Sequence, residues 1–227
     1  MAQSVLVIAD SGSGKSTSIR DLDSKETFII NIANKPLPFK GWRKNYTAIT
    51  KDNPKGNMAT TATAAGIMKA MMHVNDKMPH IKNLVIDDWQ YMSSFEYFDS
   101  ANEKGYDKFT QIAANLAQVA KLPKDMRDDL YIFFLTHSEE STDVNGHRKV
   151  KAKTIGKMID NTLTLEGLFS IVLFGKVVKD ENDKLSYVFE TVNNGENTCK
   201  SPDGMFDDAR IDNSLKVVKD AIIEYEN

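Results

Sequence analysis

The chain has 227 residues, of which 41% are hydrophobic and 27% charged, and it carries a net charge of −3. That length fits one large domain with a sizeable core, and the acidic balance excludes a generally basic nucleic-acid coat while leaving room for a local basic site. A single cysteine, Cys199, excludes an internal disulfide and fits a reducing compartment, so a cytoplasmic location is expected. No apolar run approaches the roughly 20 residues of a membrane helix, and no basic and apolar leader precedes the first strand, so neither membrane association nor secretion is expected.

Residues 3–8 are almost continuously apolar and predict a first strand buried on both faces. The segment ADSGSGKST follows directly: Ala9, Asp10, Ser11, Gly12, Ser13, Gly14, Lys15, Ser16 and Thr17. A strand, a Gly-containing loop, Lys-Ser and a helix-compatible stretch at 16–22 form the order that a phosphate-binding loop requires. Gly12 and Gly14 lack a Cβ, so the backbone can turn tightly and bring N–H groups against phosphate oxygens. The start of the helix adds its positive end. Lys15 is expected to reach the β and γ phosphates, and Ser16 to place its hydroxyl on Mg²⁺. Ala9 stands where the G-x-x-x-x-G-K-S/T pattern has its first Gly.

Residues 27–33 predict a second strand. Residues 34–57, rich in Lys, Pro, Gly and Asn, read either as a surface connection or as a loop facing a nucleotide or partner, with one short strand at 46–49. Residues 59–75 have helical period, and Met68, Met71 and Met72 in them fit core packing. NLVIDD, residues 83–88, predicts a third buried strand that ends in acids. Asp87 at its carboxyl end is expected to hold Mg²⁺ through water, and Asp88 to orient an attacking water. Helices are expected at 90–102 and 108–122, and a fourth buried strand at 130–136. Thr136 and His137 close that strand; either they sense a γ-phosphate, or Thr136 caps the strand and His137 hydrogen-bonds within the sheet. Glu139 and Glu140 read as a solvated pair.

The last third changes style. Asn145-Gly146 within 141–154 is a hairpin signal flanked by basic residues. Strands are expected at 169–178 and 185–191, a turn-rich loop at 193–202, and an amphipathic helix at 211–225. The chain therefore reads as one α/β domain spanning 1–227, a mostly parallel central sheet with helices on both faces and a C-terminal antiparallel extension. No guanine-specific N-K-x-D follows a core strand, because Asn34-Lys35-Pro36-Leu37 ends in Leu and lies too early, so ATP is the expected nucleotide. The four histidines have no ligand-like spacing, and a G-x-S-x-G elbow is absent because Asp10 replaces its first Gly.

Together, ADSGSGKST, INIANKPLPFKGW, VIDD, FFLTH and TVNNGENTCKSPDGMF resemble the phage-encoded RecA-like P-loop ATPases, in particular the small single-strand annealing ATPases with a trimmed RecA-type core. The resemblance covers most of the chain. It implies a RecA-like P-loop fold, ATP and Mg²⁺ binding, ATP hydrolysis, single-stranded DNA as partner, self-assembly into rings or filaments, and a role in phage recombination inside the host cytoplasm. The glutamate base of RecA has no counterpart here, and Asp88 is the substitute. The resemblance also implies a DNA-contacting segment after the fourth core strand, where His147, Arg148, Lys149, Lys151 and Lys153 lie within a short span. A solvated hairpin face is the alternative reading of those cations. Lys200, in the loop after the last strand, corresponds to a residue that reaches a neighbour's γ-phosphate, or else is an exposed surface lysine. Two other functions stay open on the sequence: a small-molecule kinase, for which Arg127 and Arg148 are the only lid arginines, and a nucleotide-dependent assembly protein with weak hydrolysis.

Overall fold

A computed structural model describes residues 1–102, 105, 107–142, 146, 148–155, 163–179 and 181–227. Five strands run parallel where the sequence is most apolar: β1 (Gln3–Ala9), β2 (Thr27–Asn31), β4 (Asn83–Asp87), β5 (Tyr131–Thr142) and β7 (Ile171–Lys179). A two-residue strand, β3 (Met58–Ala59), adds parallel to β2 at one edge. At the other edge β8 (Leu185–Glu190) and β9 (Arg210–Asp212) add antiparallel to β7. The sheet order is β3-β2-β4-β5-β1-β7-β8-β9, and β6 (Arg148–Ala152) pairs antiparallel with the outer part of β5. The expected α/β class, mostly parallel sheet and antiparallel C-terminal extension are therefore present.

Strand alternation divides the core in two, because successive side chains point to opposite faces. Leu6, Ile8, Phe28, Ile30, Leu84, Ile86, Ile132 and Phe134 face one layer. Val5, Val7, Ile29, Val85, Phe133 and Leu135 face the other. The first layer holds α2 (Ala64–Lys77), α3 (Gln90–Asp99) and α4 (Asp107–Lys121). Ile67, Met71 and Val74 on α2, and Ile112, Leu116 and Val119 on α4, recur at helical spacing and are buried there. Met71 is fully buried and Met68 and Met72 pack against the same core, as expected for structural methionines. The second layer holds a short 3₁₀ helix at Ser16–Asp21 and the last helix, α5 (Leu215–Glu226), through Ile19, Leu22, Leu215, Val218 and Ile222.

Several boundaries differ from the sequence reading for identifiable reasons. β5 runs to Thr142 instead of ending at 136, because its polar end pairs with β6. Ile211 belongs to β9, not to the last helix, which starts after its N-cap Ser214. The expected strand at 46–49 is a single bridge, Ala48 to Met58, preceded by a short helix α1 (Trp42–Asn45). The helix after the loop, Ser16–Asp21, is 3₁₀, and it closes with an i→i−3 bond from the Leu22 N–H to the Ile19 carbonyl, while the Ser18 hydroxyl donates to Lys15 O. Asn145 of the expected hairpin turn, His147 and Asp180 lie outside the described residues.

Candidate functional site

The parallel strands bring their carboxyl ends to one edge, and a cleft of about 590 Å³ opens there. That is where ligands bind in open α/β sheets. β1 delivers the loop. Gly12 and Gly14 have φ of +81° and +84°, left-handed values that only Gly adopts without cost. The Ser13 N–H and hydroxyl both donate to the Asp10 carbonyl and close the turn. Ala9 is accommodated by its neighbour: it pairs with Gly175 of β7, and a Cβ on Gly175 would come within 2.9 Å of the Ala9 methyl. The glycine missing from the loop pattern is thus supplied on the adjacent strand.

β4 delivers the acids. Asp87 ends the strand, and its Oδ1 accepts from the Ser16 hydroxyl at 2.8 Å. In a regular strand Asp88 would point to the opposite face. Its φ of +59° breaks the alternation and turns its carboxylate into the cleft. Backbone in this region is uncommon for a non-glycine residue and clusters at functional sites. Lys15 Nζ lies 2.5 Å from Asp88 Oδ1 and 3.9 Å from Asp87 Oδ1. All three side chains are buried.

β5 lies between β1 and β4, so its carboxyl end enters the cleft between the loop and the acids. His137 lines the cleft, with Nε2 3.5 Å from Asp88 Oδ1. Thr136 is fully buried beneath it and donates to Gln90 Oε1 at 3.4 Å, so of the two expected strand-end residues His137 is the one that borders the cleft.

Electrostatics separate the two acids. Burial pushes the Asp87 carboxyl above its ordinary pKa, aided by the Asp88 charge and opposed by Lys15 and Ser16. Burial would also push Asp88 up, but the His137 hydrogen bond and the two lysines outweigh it and hold the carboxyl well below the usual range. Asp88 is thus a fixed anion that positions cations and donors. A depressed folded pKa contributes stability above the unfolded value of about 3.9, and that contribution is lost as pH falls through the folded one. Asp88→Asn is therefore expected to be less stable than wild type at pH 7, with the gap in melting temperature narrowing below about pH 4. If the cleft takes a nucleotide, Asp88→Asn is expected to keep the affinity, because Lys15 is no longer shared, and to lose turnover if Asp88 orients the attacking water.

The second lysine on Asp88 is Lys35, 2.6 Å from Oδ2, a residue that sequence reasoning missed. Its pKa is raised: burial would lower it, but the Asp88 hydrogen bond and charge prevail. Asn31, the last residue of β2, holds it in place: the Asn31 amide donates to Lys35 O at 2.7 Å, and the Lys35 N–H donates back to Asn31 Oδ1 at 3.2 Å. Asn34 has φ +52°, and the Lys35 ammonium sits 5.0 Å from the Tyr91 ring centroid. Of the two readings for the 34–57 loop, its first residues face the cleft: Lys35, Pro36 and Pro38 line it. The available signal was an Asn four residues before a Lys, just after a buried strand.

The fit to Mg²⁺ rests on Ser16 and Asp87. One carboxylate and one hydroxyl beside the Gly-containing loop suit a cation that keeps several waters. No group of three or more His, Cys, Asp or Glu side chains suited to a metal occurs among the described residues. Ser11 and Thr17 also line the cleft.

The basic segment lies next to this site. β6 carries Arg148, Lys149 and Lys151, and the N–H of Lys153 donates to His137 O at 2.8 Å, so pairing continues to the cleft edge. Of the expected solvated pair, Glu140 is exposed, with Arg148 3.9 Å away on the surface, whereas Glu139 is half-buried and lies 3.1 Å from Lys151, its register partner. Lys200 is exposed, and its backbone pairs with Val172, several residues below the carboxyl edge of β7; it does not line the cleft of its own chain. Arg127 lies at the opposite edge of the sheet, bound to the carbonyls of Met78, Pro79 and Ile81, where it cannot serve as a kinase lid. Cys199 is buried, and burial together with Glu190 pushes its thiol up to about 12, the opposite of the exposed, acidified thiol that nucleophilic chemistry uses. No helix among the described residues is long and apolar enough to cross a membrane.

No protein-family model matches this chain, and no curated protein matches it.

Proposed function

We propose that this chain is a magnesium-dependent ATPase of the RecA-like P-loop class that acts with single-stranded DNA in phage recombination or strand annealing. One observation carries the reading: Lys15, Ser16, Asp87, Asp88 and His137, from three separated segments, converge in one cleft at the carboxyl ends of β1, β4 and β5. In this reading Lys15 neutralises the β and γ phosphates, Ser16 and Asp87 hold Mg²⁺, and Asp88 with His137 positions water at the γ-phosphate. Mg²⁺ supplies charge neutralisation at the phosphates when bound. Lys35 is a further cation for the developing charge.

The nucleic-acid part rests on β6. Its cations leave the cleft edge directly from His137, so a bound phosphate backbone would run beside the hydrolytic groups. Self-assembly rests on Lys200, which is exposed and outside its own cleft, as a residue acting on a neighbour's nucleotide would be.

The test measures ATP hydrolysis with and without single-stranded DNA, with particle mass determined in the same samples. Stimulation by DNA and a mass of several copies are expected. Replacing Lys149, Lys151 and Lys153 by Ala removes the stimulation and lowers DNA affinity. Lys151 is already engaged by Glu139, so the salt slope of binding shrinks by roughly 1.4, about 0.7 for each of two phosphate contacts. Wild-type protein that binds no DNA would overturn the nucleic-acid reading and leave the nucleotide site standing.

A further inference from the structure

Asn213 follows β9 and is 2% exposed, yet neither its Oδ1 nor its Nδ2 has a hydrogen-bond partner. Buried amides are nearly always paired, so an orphan donor and acceptor side by side need an explanation. Asn213 borders the same cleft as Lys15. Its backbone is fixed on both sides: its N–H donates to Tyr187 O at 3.3 Å, and its carbonyl accepts from the Arg20 guanidinium at 3.3 Å. These bonds hold at the cleft wall the backbone that carries the amide.

Tyr187, on β8, lies directly across from it and is 47% exposed. A Cβ added to Gly14 would meet Tyr187 Cδ1 at 3.0 Å and Asn213 Oδ1 at 3.1 Å, so the ring and the amide both rest on the bare face of that glycine. The sheet order fixes which side this is. The acids come from β4, on one side of the phosphate loop, whereas Tyr187 and Asn213 come from β8 and the end of β9, on the other. A nucleotide whose terminal phosphates face Asp87 and Asp88 extends its other end toward Tyr187 and Asn213.

We propose that Tyr187 and Asn213 form the nucleobase subsite of the cleft and that it selects adenine. This rests on the phosphate-loop reading and names the ligand end which that reading leaves open. An Asn amide presents one donor beside one acceptor, which matches the N7 acceptor and 6-amino donor of adenine. The same edge of guanine offers two acceptors, one of which would face the amide oxygen. Tyr187 stacks on the ring, as aromatic side chains do on unpaired bases. In stacking, its ring turns off Gly14 and opens the amide to the base.

The experiment is calorimetric binding of ATP, GTP, purine riboside triphosphate (which lacks the 6-amino group) and inorganic tripolyphosphate. Each is measured with Mg²⁺ on wild type, Asn213→Ala and Tyr187→Ala. Wild type is expected to prefer ATP over purine riboside triphosphate by about tenfold. Asn213→Ala erases that preference, and Tyr187→Ala weakens every purine nucleotide by about tenfold. Tripolyphosphate binds all three proteins alike. Without nucleotide, Asn213→Ala melts at or above the wild-type temperature, because an orphan amide has been removed; a merely structural amide would give a lower one. The proposal is overturned if wild type binds both ATP and tripolyphosphate while Asn213→Ala and Tyr187→Ala keep the wild-type preferences. Wild type that binds neither would remove the phosphate reading, and the base subsite with it.

Discussion

Replacing Lys15 by Ala is expected to lower ATP affinity or turnover at least about tenfold, a loss near 1.4 kcal/mol, and to destabilise the protein at the same time. The first effect follows from removing the charge on the β and γ phosphates. The second follows from the cleft itself. Lys15 is 6% exposed and stands 2.5 Å from Asp88 and 3.9 Å from Asp87, so its loss leaves two buried carboxylates with less compensation. Breaking a buried ion pair by removing one partner costs about 3–5 kcal/mol, and the lower end applies here because Lys35 and His137 remain on Asp88. The two effects are separable. Lys15→Ala combined with Asp88→Asn recovers much of the stability in urea melts and none of the nucleotide binding. A Lys15→Ala protein that folds normally and still binds and hydrolyses ATP at the wild-type level would discard the phosphate-loop reading.

Asp87→Asn has effects of opposite sign on stability and activity. The pKa of Asp87 is raised in the folded protein, chiefly by burial. A raised folded pKa contributes stability that is fully present below the unfolded value of about 3.9 and is lost as pH rises through the folded value. At pH 7 the ionised carboxylate is therefore a net cost. Asparagine keeps an oxygen for the Ser16 hydroxyl and removes the charge, so the melting temperature at pH 7 rises above wild type. Below about pH 4 the two proteins converge. Magnesium-dependent turnover falls at least about tenfold, and more Mg²⁺ is needed for half-maximal rate. Equal melting temperatures at pH 7 together with unchanged Mg²⁺ dependence would remove Asp87 from the metal site. A stability gain coupled to a loss of function is the pattern of a group retained for chemistry at the expense of the fold.

The parts of this site that were legible in the sequence are those in which local chain order dictates position. ADSGSGKST between a strand and a turn of helix locates Lys15 and Ser16, and an apolar run ending in two acids locates Asp87 at a strand end. Residues brought in by register were not legible. Lys35 reaches Asp88 with its backbone clamped by Asn31, and the one local hint, an Asn four residues before it, names no partner for the ammonium. The inward turn of Asp88 depends on a left-handed φ that alternation argues against. Glu140 is exposed as its pattern suggests, but Glu139 is set against Lys151 by the β5–β6 register, which no local pattern announces. Tyr187 and Asn213 lie more than 170 positions after Gly14 and meet it only through the antiparallel extension at the sheet edge.

The most direct test is calorimetric titration of ATP into the wild-type protein with Mg²⁺ and with EDTA, followed by phosphate release in the same samples. The account predicts binding at one site per chain that strengthens with Mg²⁺, and phosphate release that requires the metal. No binding of ATP under either condition by folded protein would contradict it.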